Sequence, residues 1–208
     1  MFGKLRVWYL STKTKLFPGA YRYWNNRYVS GGNSGSGSRG ESLQQKCRMI
    51  NTFIQAHEIK SILDLGCGDG AVAACLDVNS YLGVDVSSYI VEKNSQVFSN
   101  DSKKQFRELT GFSVENNSFD LAISLDVIFH IVNLVDLTKH LNLLFNATGK
   151  WVIISSTNYD SPQIYHQKNW KITEIITKQY PNWTLISSEK LVYSSCSIFI
   201  YAISDPHT

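Results

Sequence analysis

The sequence predicts an α/β fold, a three-layer αβα sandwich whose seven-stranded sheet is mostly parallel and ends in an antiparallel strand. Three observations predict this fold. Apolar segments of strand length alternate with segments of helical spacing from residue 41 onward. Residues 62–70 lead a short apolar strand directly into glycines, with a helix-like segment behind them. The last two strand-like segments, 184–188 and 197–203, are joined by too few residues for a helical crossover, so the final strand must pair antiparallel.

The individual elements follow from spacing and from turn residues. A helix of about four turns is predicted by the recurrence, at steps of four, three, four and three, of Leu43, Cys47, Ile50, Ile54 and His57. Strands are predicted at 62–65, 81–85, 105–109, 119–125, 151–155, 184–188 and 197–203. Further helices are predicted at 71–76, from a Ser87 or Ser88 cap to about Phe98, from an Asn133 cap to Phe145, and at 172–179 before Pro181.

Composition limits the classes of protein that fit. A chain of 208 residues with 43% hydrophobic residues can bury one core, so we expect one domain with a short extension. A net charge of +3 lacks the basic stripe of a nucleic-acid-binding protein. No apolar run approaches the roughly 18 residues of a membrane span, and no signal peptide is evident. Four cysteines without a CxxC pair indicate reduced thiols, and we expect a cytoplasmic protein.

The first forty residues differ from the rest and are treated as an extension to a domain at 41–208. Residues 1–29 are aromatic and basic and show no clean periodicity. We expect their aromatic side chains to pack against another surface. Residues 31–40, GGNSGSGSRG, combine glycine freedom with serine hydroxyls. Two interpretations of this Gly/Ser segment stay open: a flexible linker, or a lid that orders over a ligand.

The most informative segment is the turn from Asp64 to Gly70, DLGCGDG, between a strand and a helix. Glycines there permit positive φ and let a ligand approach the backbone, at the sheet edge where ligands of open α/β sheets bind. Asp85 ends the next strand, twenty-one positions after Asp64, where a carboxylate can accept hydrogen bonds from both ribose hydroxyls. The pair predicts a nucleotide-like cofactor.

Three motifs, LDLGCGDG, GVDVS and NNSFDLAISLDVIFHI, resemble those of the class I S-adenosylmethionine-dependent methyltransferases, over about residues 43–203. The resemblance implies a Rossmann-like methyltransferase that uses S-adenosyl-L-methionine. It assigns the cofactor-binding residues Asp64, Gly66, Gly68, Asp85, Val86, Thr110, Gly111 and Leu125. The family often has an acidic residue where Thr110 or Gly111 falls, so we expect backbone groups to contact the adenine here.

A second resemblance concerns the segment YWNNRYVSGGNSGSGSRG together with WVIISSTNYD and YHQKNWKITEII. These are similar to small bacterial and viral-type methyltransferases linked to glycan modification. The resemblance implies that Tyr28 and the Gly/Ser segment close over the cofactor and a small-molecule or glycan acceptor, with Tyr28 and His166 binding the acceptor. It favours O-methylation of a sugar hydroxyl, although aromatic side chains would also suit an aromatic small molecule or an exposed base.

Methyl transfer to a hydroxyl needs a positioned acceptor and a base for its proton. We predict that His130 is this base and that Asp126, four residues earlier, orients the imidazole or the acceptor. The alternative is a divalent metal such as Mg²⁺ held by Asp126 with Asn158 or Asp160, because carboxylate and amide oxygens suit that ion. We do not adopt a metal as part of the prediction.

Two other functional classes, an oxidoreductase and a non-catalytic binding module, agree with parts of the sequence. A nicotinamide-dependent oxidoreductase fits the looser fingerprint Gly66-x-Gly68-x-x-Ala71, but Asp64, the antiparallel last strand and the lack of room for a substrate domain count against it. A non-catalytic binding module would lack polar groups on the acceptor side. His130, Asp126 and Tyr28 argue against such a module.

Overall fold

The structure is a computed structural model that describes residues 17–204. Its centre is a seven-stranded sheet with the strand order β3-β2-β1-β4-β5-β7-β6. The strands are β1 (Ser61–Leu65), β2 (Ser80–Asp85), β3 (Lys104–Glu108), β4 (Phe119–Leu125), β5 (Thr148–Ser156), β6 (Trp183–Lys190) and β7 (Ser197–Ile203). The first five strands run parallel, and β7 runs antiparallel to both of its neighbours. The predicted fold class is confirmed.

Helices cover the sheet. They are α1 (Ala20–Val29), α2 (Gly40–Ala56), α3 (Ala71–Cys75), α4 (Ser88–Val97), α5 (Leu134–Asn146) and α6 (Ile172–Gln179), with short 3₁₀ turns at Ser36–Ser38 and Ile128–His130. Two predicted caps are confirmed. The Ser87 hydroxyl accepts a hydrogen bond from the Ile90 amide at 3.3 Å, and the Asn133 side chain accepts one from the Asp136 amide at 2.9 Å.

The sheet separates two apolar clusters, which makes the three layers. Along β4, Leu121 and Ile123 belong to one cluster and Ala122 to the other, because successive side chains of a strand point to opposite faces. Ile50 of α2 joins the first cluster, and Leu141 of α5 joins the second. The carboxyl ends of β1, β2 and β4 therefore lie at one edge, between helices of both layers.

The N-terminal extension contains a helix that its sequence did not predict. Residues 1–16 lie outside the described residues, but α1 is regular from Ala20 to Val29. It is held against the start of α4, where the Asn25 side-chain oxygen accepts hydrogen bonds from the Ser87 hydroxyl at 2.9 Å and the Tyr89 amide at 3.3 Å. Only Tyr28 of this helix is buried. A single buried residue cannot produce the periodic apolar stripe from which a helix is predicted.

Two further observations bear on the expectations from composition. The four cysteines, Cys47, Cys67, Cys75 and Cys196, are all free. Within residues 17–204, no helix is both long and apolar enough to cross a bilayer.

Candidate active site

The turn after β1 requires glycine for two reasons. Gly66 and Gly68 have φ of 95° and 56°, in the region that side chains with a Cβ rarely adopt. A Cβ on Gly66 would lie 2.4 Å from a Val127 methyl carbon, and one on Gly68 would lie 2.3 Å from the Ser34 hydroxyl oxygen. The turn is thus packed between the segment after β4 and the Gly/Ser segment.

Asp85 lies at the end of β2, only 7% exposed. Its Oδ2 accepts a hydrogen bond from the Gly68 amide and its Oδ1 accepts one from the Ser87 amide, both at 2.9 Å. Burial raises the pKa of this carboxyl to about 6, although the backbone hydrogen bonds act in the opposite direction. Since a carboxylate has about four acceptor positions, Asp85 retains capacity for ribose hydroxyls.

Asp64 is also buried, at 1% exposure, on β1. Its Oδ2 accepts a hydrogen bond from the Tyr81 hydroxyl at 2.6 Å, whereas its Oδ1 has no partner among the described residues. Burial raises the pKa of this carboxyl to about 7. An orphaned buried carboxylate oxygen beside a cavity suits a ligand with a cationic group.

A cavity of about 630 Å³ opens between the glycine turn and α1, within the range for a small-molecule ligand. We call it the cofactor cavity. Six of the predicted cofactor residues line it: Asp64, Gly66, Gly68, Asp85, Val86 and Leu125. Thr110 and Gly111 do not, because β3 ends at Glu108 and the chain presents Leu109 to the cavity instead. The contact of Thr110 and Gly111 with adenine stays a prediction.

The Gly/Ser segment is tied to the glycine turn by side chains that the sequence analysis did not single out. The Ser34 amide donates to the Asp69 carboxylate at 3.0 Å, and the Asp69 amide donates to the Ser34 hydroxyl at 2.9 Å. The same hydroxyl lies 3.1 Å from the hydroxyl of Tyr28, and Arg39 forms an ion pair with Asp69. Serine hydroxyls in the segment and an acidic residue in the turn were the sequence features that could have indicated this pairing.

A second cavity, of about 370 Å³, adjoins the first. It is bounded by α1, the Gly/Ser segment, the segment before α6 and the β6–β7 connection. Four residues line both cavities: Trp24, Ser34, Asp126 and His130. The predicted acceptor residues divide between the cavities, because Tyr28 lines the first and His166 lines the second.

His130 ends the 3₁₀ turn that follows β4. Its Nδ1 lies 3.3 Å from the carbonyl oxygen of His166, and since a carbonyl only accepts, Nδ1 carries the hydrogen and Nε2 is the basic atom. The two imidazole rings stack with centroids 5.0 Å apart, and the Tyr23 hydroxyl lies 3.2 Å from His166 Nε2. Burial lowers the pKa of His130 to about 4, so the ring is neutral at pH 7.

Asp126 makes no hydrogen bond to the His130 imidazole, and its alternative role in orienting the acceptor stays a prediction. Its Oδ2 accepts from the Lys46 ammonium at 2.5 Å and its Oδ1 accepts from the Ser155 hydroxyl at 2.6 Å. Lys46 is completely buried, and Asp126 itself has a φ of 61°. Within residues 17–204, the Asp126 carboxylate is contacted by the Lys46 ammonium, the Ser155 hydroxyl and the Cys196 thiol, and no hydrogen bond joins it to His130. Lys46 was not among the site residues predicted from sequence.

The other residues of the metal alternative lie in a different arrangement. The Asn158 side-chain oxygen accepts from the Thr173 amide at 3.1 Å, and the Asp160 carboxylate accepts from the Lys171 amide at 3.1 Å. Both therefore fix the start of α6, while Asp126 pairs with Lys46. Among residues 17–204, no three His, Cys, Asp or Glu side chains are grouped so that they could hold a metal ion.

Comparisons with known proteins agree with this geometry. A family described as "Methyltransferase domain" matches residues 40–193, and no curated protein matches the chain. A methyltransferase dependent on S-adenosylmethionine from Clostridium acetobutylicum has a TM-score of 0.62 at 15% identity, over 76% of this chain and 91% of that one. The N-methyltransferase of Bradyrhizobium japonicum, in complex with S-adenosyl-L-homocysteine, has a TM-score of 0.62 at 13% identity, over 80% and 89%.

Magnesium protoporphyrin IX methyltransferase from Synechocystis, with bound S-adenosylmethionine, has a TM-score of 0.60 at 18% identity, over 92% of this chain and 97% of that one. At such identities the neighbours show the fold. The family match covers most of the chain, including the glycine turn, Asp85 and Asp126. The oxidoreductase alternative is therefore set aside, and the chain belongs to the methyltransferase-domain family as an S-adenosylmethionine-dependent enzyme.

Proposed function

We propose that this enzyme O-methylates a hydroxyl group of a small polar acceptor, a sugar or a glycan unit, bound in the second cavity, hereafter the acceptor cavity. The observation that carries the proposal is the position of His130, which lines both cavities with one ring nitrogen fixed by a backbone carbonyl and the other left basic. A neutral imidazole at the junction of two cavities suits proton removal from an acceptor hydroxyl.

The cofactor cavity fits a cationic nucleoside ligand. Asp85 offers its remaining acceptor positions to the ribose hydroxyls, and the unpartnered Oδ1 of Asp64 offers a further acceptor, whose ionised form a cationic ligand would favour. Gly66 and Gly68 keep the backbone open to close approach. When bound, S-adenosylmethionine supplies an electrophilic methyl group on a sulfonium, whose carbon–sulfur bond breaks with its electron pair moving to sulfur.

In the proposed step, the acceptor oxygen forms the new bond to the methyl carbon while its proton moves to Nε2 of His130. The Nδ1 hydrogen bond to the His166 carbonyl keeps the imidazole in the required tautomer and orientation. The negative charge of Asp126 favours the protonated ring and so opposes the effect of burial on the His130 pKa. Asp126 thus acts on His130 only through charge, without a hydrogen bond to it, and its ion pair with Lys46 weakens that effect.

The lining of the acceptor cavity supports a hydroxylated acceptor. Tyr23 and Trp24 provide aromatic faces, while Gln167, Ser194 and Ser195 provide hydrogen-bonding groups. Aromatic faces beside polar groups are suited to sugars, which present apolar ring faces and polar edges. A planar phenol would use the aromatic faces but would leave most of the polar groups without a partner, so the sugar is favoured.

We also propose that the Gly/Ser segment is a lid over the cofactor. Ser34 and Ser38 line the cofactor cavity from outside the methyltransferase core. The reciprocal hydrogen bonds between Ser34 and Asp69 connect the segment directly to the glycine turn. A ligand in the cavity would be covered by this segment, which supports the lid over the linker interpretation.

The test is methyl transfer from S-adenosylmethionine labelled in its methyl group to a panel of sugars, nucleotides and small phenols. His130→Gln should lower turnover by about 10²- to 10⁴-fold, while cofactor affinity by calorimetry stays within a few-fold. His57→Gln, at an exposed imidazole after α2, is the matched control and should retain activity.

A different result would favour the metal alternative. If His130→Gln kept activity within a few-fold, and EDTA abolished a reaction that Mg²⁺ restored, His130 would not be the base. Asp126 would then be reassigned as a metal ligand.

A further inference from the structure

Arg27 lies on α1 and lines the acceptor cavity. Its guanidinium carbon lies 5.7 Å from the centroid of the Trp24 ring, whose centroid is in turn 4.9 Å from that of His130. The Trp24 ring therefore lies beside both the Arg27 guanidinium and the His130 imidazole. No carboxylate within residues 17–204 forms an ion pair with Arg27.

The Arg27 side chain is held in place by the start of the Gly/Ser segment. Its Nε donates to the carbonyl oxygen of Asn33 at 2.6 Å, which uses one of five N–H groups. Gly32 packs on the same residue: its amide donates to the Arg27 carbonyl at 2.9 Å, and a Cβ there would lie 2.9 Å from Arg27 Cγ. A fixed guanidinium with free N–H groups is prepared to bind a planar or tetrahedral anion.

The charges around the acceptor cavity favour an anion as well. Among its described lining residues, the other charged side chain is Asp126, and its ion pair with the buried Lys46 offsets its charge. Burial keeps His130 neutral, and both burial and the charge of Arg27 lower the pKa of His166. The cavity thus has an uncompensated positive charge next to the reacting position.

We propose that the acceptor carries a carboxylate or phosphate group, which Arg27 binds while the hydroxyl to be methylated faces His130. The acceptor would then be an acidic or phosphorylated sugar rather than a neutral one. This inference rests on the proposed function for the hydroxyl, but the anion site depends only on Arg27 and its surroundings. Arg27 thus selects the acceptor by its charge.

The test measures binding to the full chain saturated with S-adenosylhomocysteine, by calorimetry, using glucuronate, glucose 6-phosphate and glucose as probes. At least one anionic probe should bind about 10- to 100-fold more tightly than glucose, since hydrogen bonds to charged groups contribute about that factor. Arg27→Gln should remove the preference and Arg27→Lys should restore part of it. Arg22→Gln, at an exposed position of the same helix, should leave the preference unchanged.

Several results would overturn the proposal. These are equal binding of glucose and both anions, absence of binding by both anions, or a preference that survives in Arg27→Gln. Loss of the preference in Arg22→Gln as well would assign it to general surface charge and would equally contradict the site. If the Arg27-dependent preference holds but His130→Gln does not slow methyl transfer, the anion site stands and the proposed base fails.

Discussion

The cofactor cavity and the acceptor cavity are built from different parts of the fold. The first lies at the carboxyl ends of β1, β2 and β4 and is lined by the backbone of the glycine turn and two buried carboxyl groups, Asp64 and Asp85. The second is assembled from α1, the Gly/Ser segment and the β6–β7 connection, and its free charge is the cation of Arg27. We therefore expect the sheet edge to bind S-adenosylmethionine and the segments outside the sheet to select the acceptor.

The largest expected effect concerns the ion pair between Lys46 and Asp126, which joins α2 to the residues shared by both cavities. Asp126→Asn should destabilise the protein by about 3 to 5 kcal/mol, because it leaves the fully buried Lys46 without a counter-charge. The double variant Lys46→Met with Asp126→Asn should recover much of this loss. Urea unfolding measures both.

Glu174→Gln provides the control for that experiment, because it removes an exposed ion pair with Lys171 and should change stability far less. If Asp126→Asn lowered the free energy of unfolding no more than Glu174→Gln, the buried ion pair would not stabilise the fold around the two cavities.

The next prediction concerns the cofactor cavity alone. Asp85→Ala should weaken S-adenosylmethionine binding by about 1.5 to 3 kcal/mol, since it removes a charged acceptor of hydrogen bonds, and should leave the acceptor cavity intact. Calorimetry measures the change, with Asp101→Ala, at a carboxylate that pairs with Lys104 and lines neither cavity, as the control. Unchanged affinity in a folded Asp85→Ala protein would remove its role in holding ribose.

A smaller effect is expected in the pH dependence of stability, because the Asp64 carboxyl of the cofactor cavity is buried. The pKa of Asp64 is raised to about 7, so between its ordinary value of 3.8 and about 7 the folded protein binds more protons than the unfolded chain. Stability should therefore fall as pH rises through this range. Between pH 5 and 7.5, the wild type should lose at least about 1 kcal/mol relative to Asp64→Asn, by urea unfolding. Parallel pH profiles for the two proteins would contradict the raised pKa.

The smallest effect concerns the lid. Hydrogen exchange at residues 31–40 should slow when S-adenosylmethionine or its product binds, because the ligand lies beneath Ser34 and Ser38. Residues 99–103, a surface turn after α4, should exchange equally with and without ligand. Equal exchange rates at residues 31–40 with and without ligand would restore the linker interpretation.

The cofactor cavity was predictable from sequence because its chemistry is local. The turn from Gly66 to Gly70 and the carboxylate of Asp85 occur at fixed spacing on adjacent strands, and six of the eight assigned residues line the cavity. Thr110 and Gly111, which were assigned by resemblance, follow Leu109 of the cavity lining, and their contact with adenine stays a prediction.

The acceptor cavity was less predictable because its residues act through contacts that are distant in sequence. Lysine is usually solvent-exposed, so the sequence of α2 does not indicate that Lys46 is buried. Its burial is explained by the ion pair with Asp126, 80 residues later. The side chains of α1 line cavities instead of a core, so their order carries no helical period. Arg27 consequently looked like one basic residue among several in the extension.

A crystal structure with bound S-adenosylhomocysteine would show whether the cofactor and acceptor cavities meet at His130. We expect ribose hydroxyls within hydrogen-bonding distance of the Asp85 carboxylate, and the sulfur at the opening to the acceptor cavity beside His130. A sulfur directed instead toward Lys139 and Leu143, at the α5 end of the cofactor cavity, would separate His130 from the reaction and rule it out as the base.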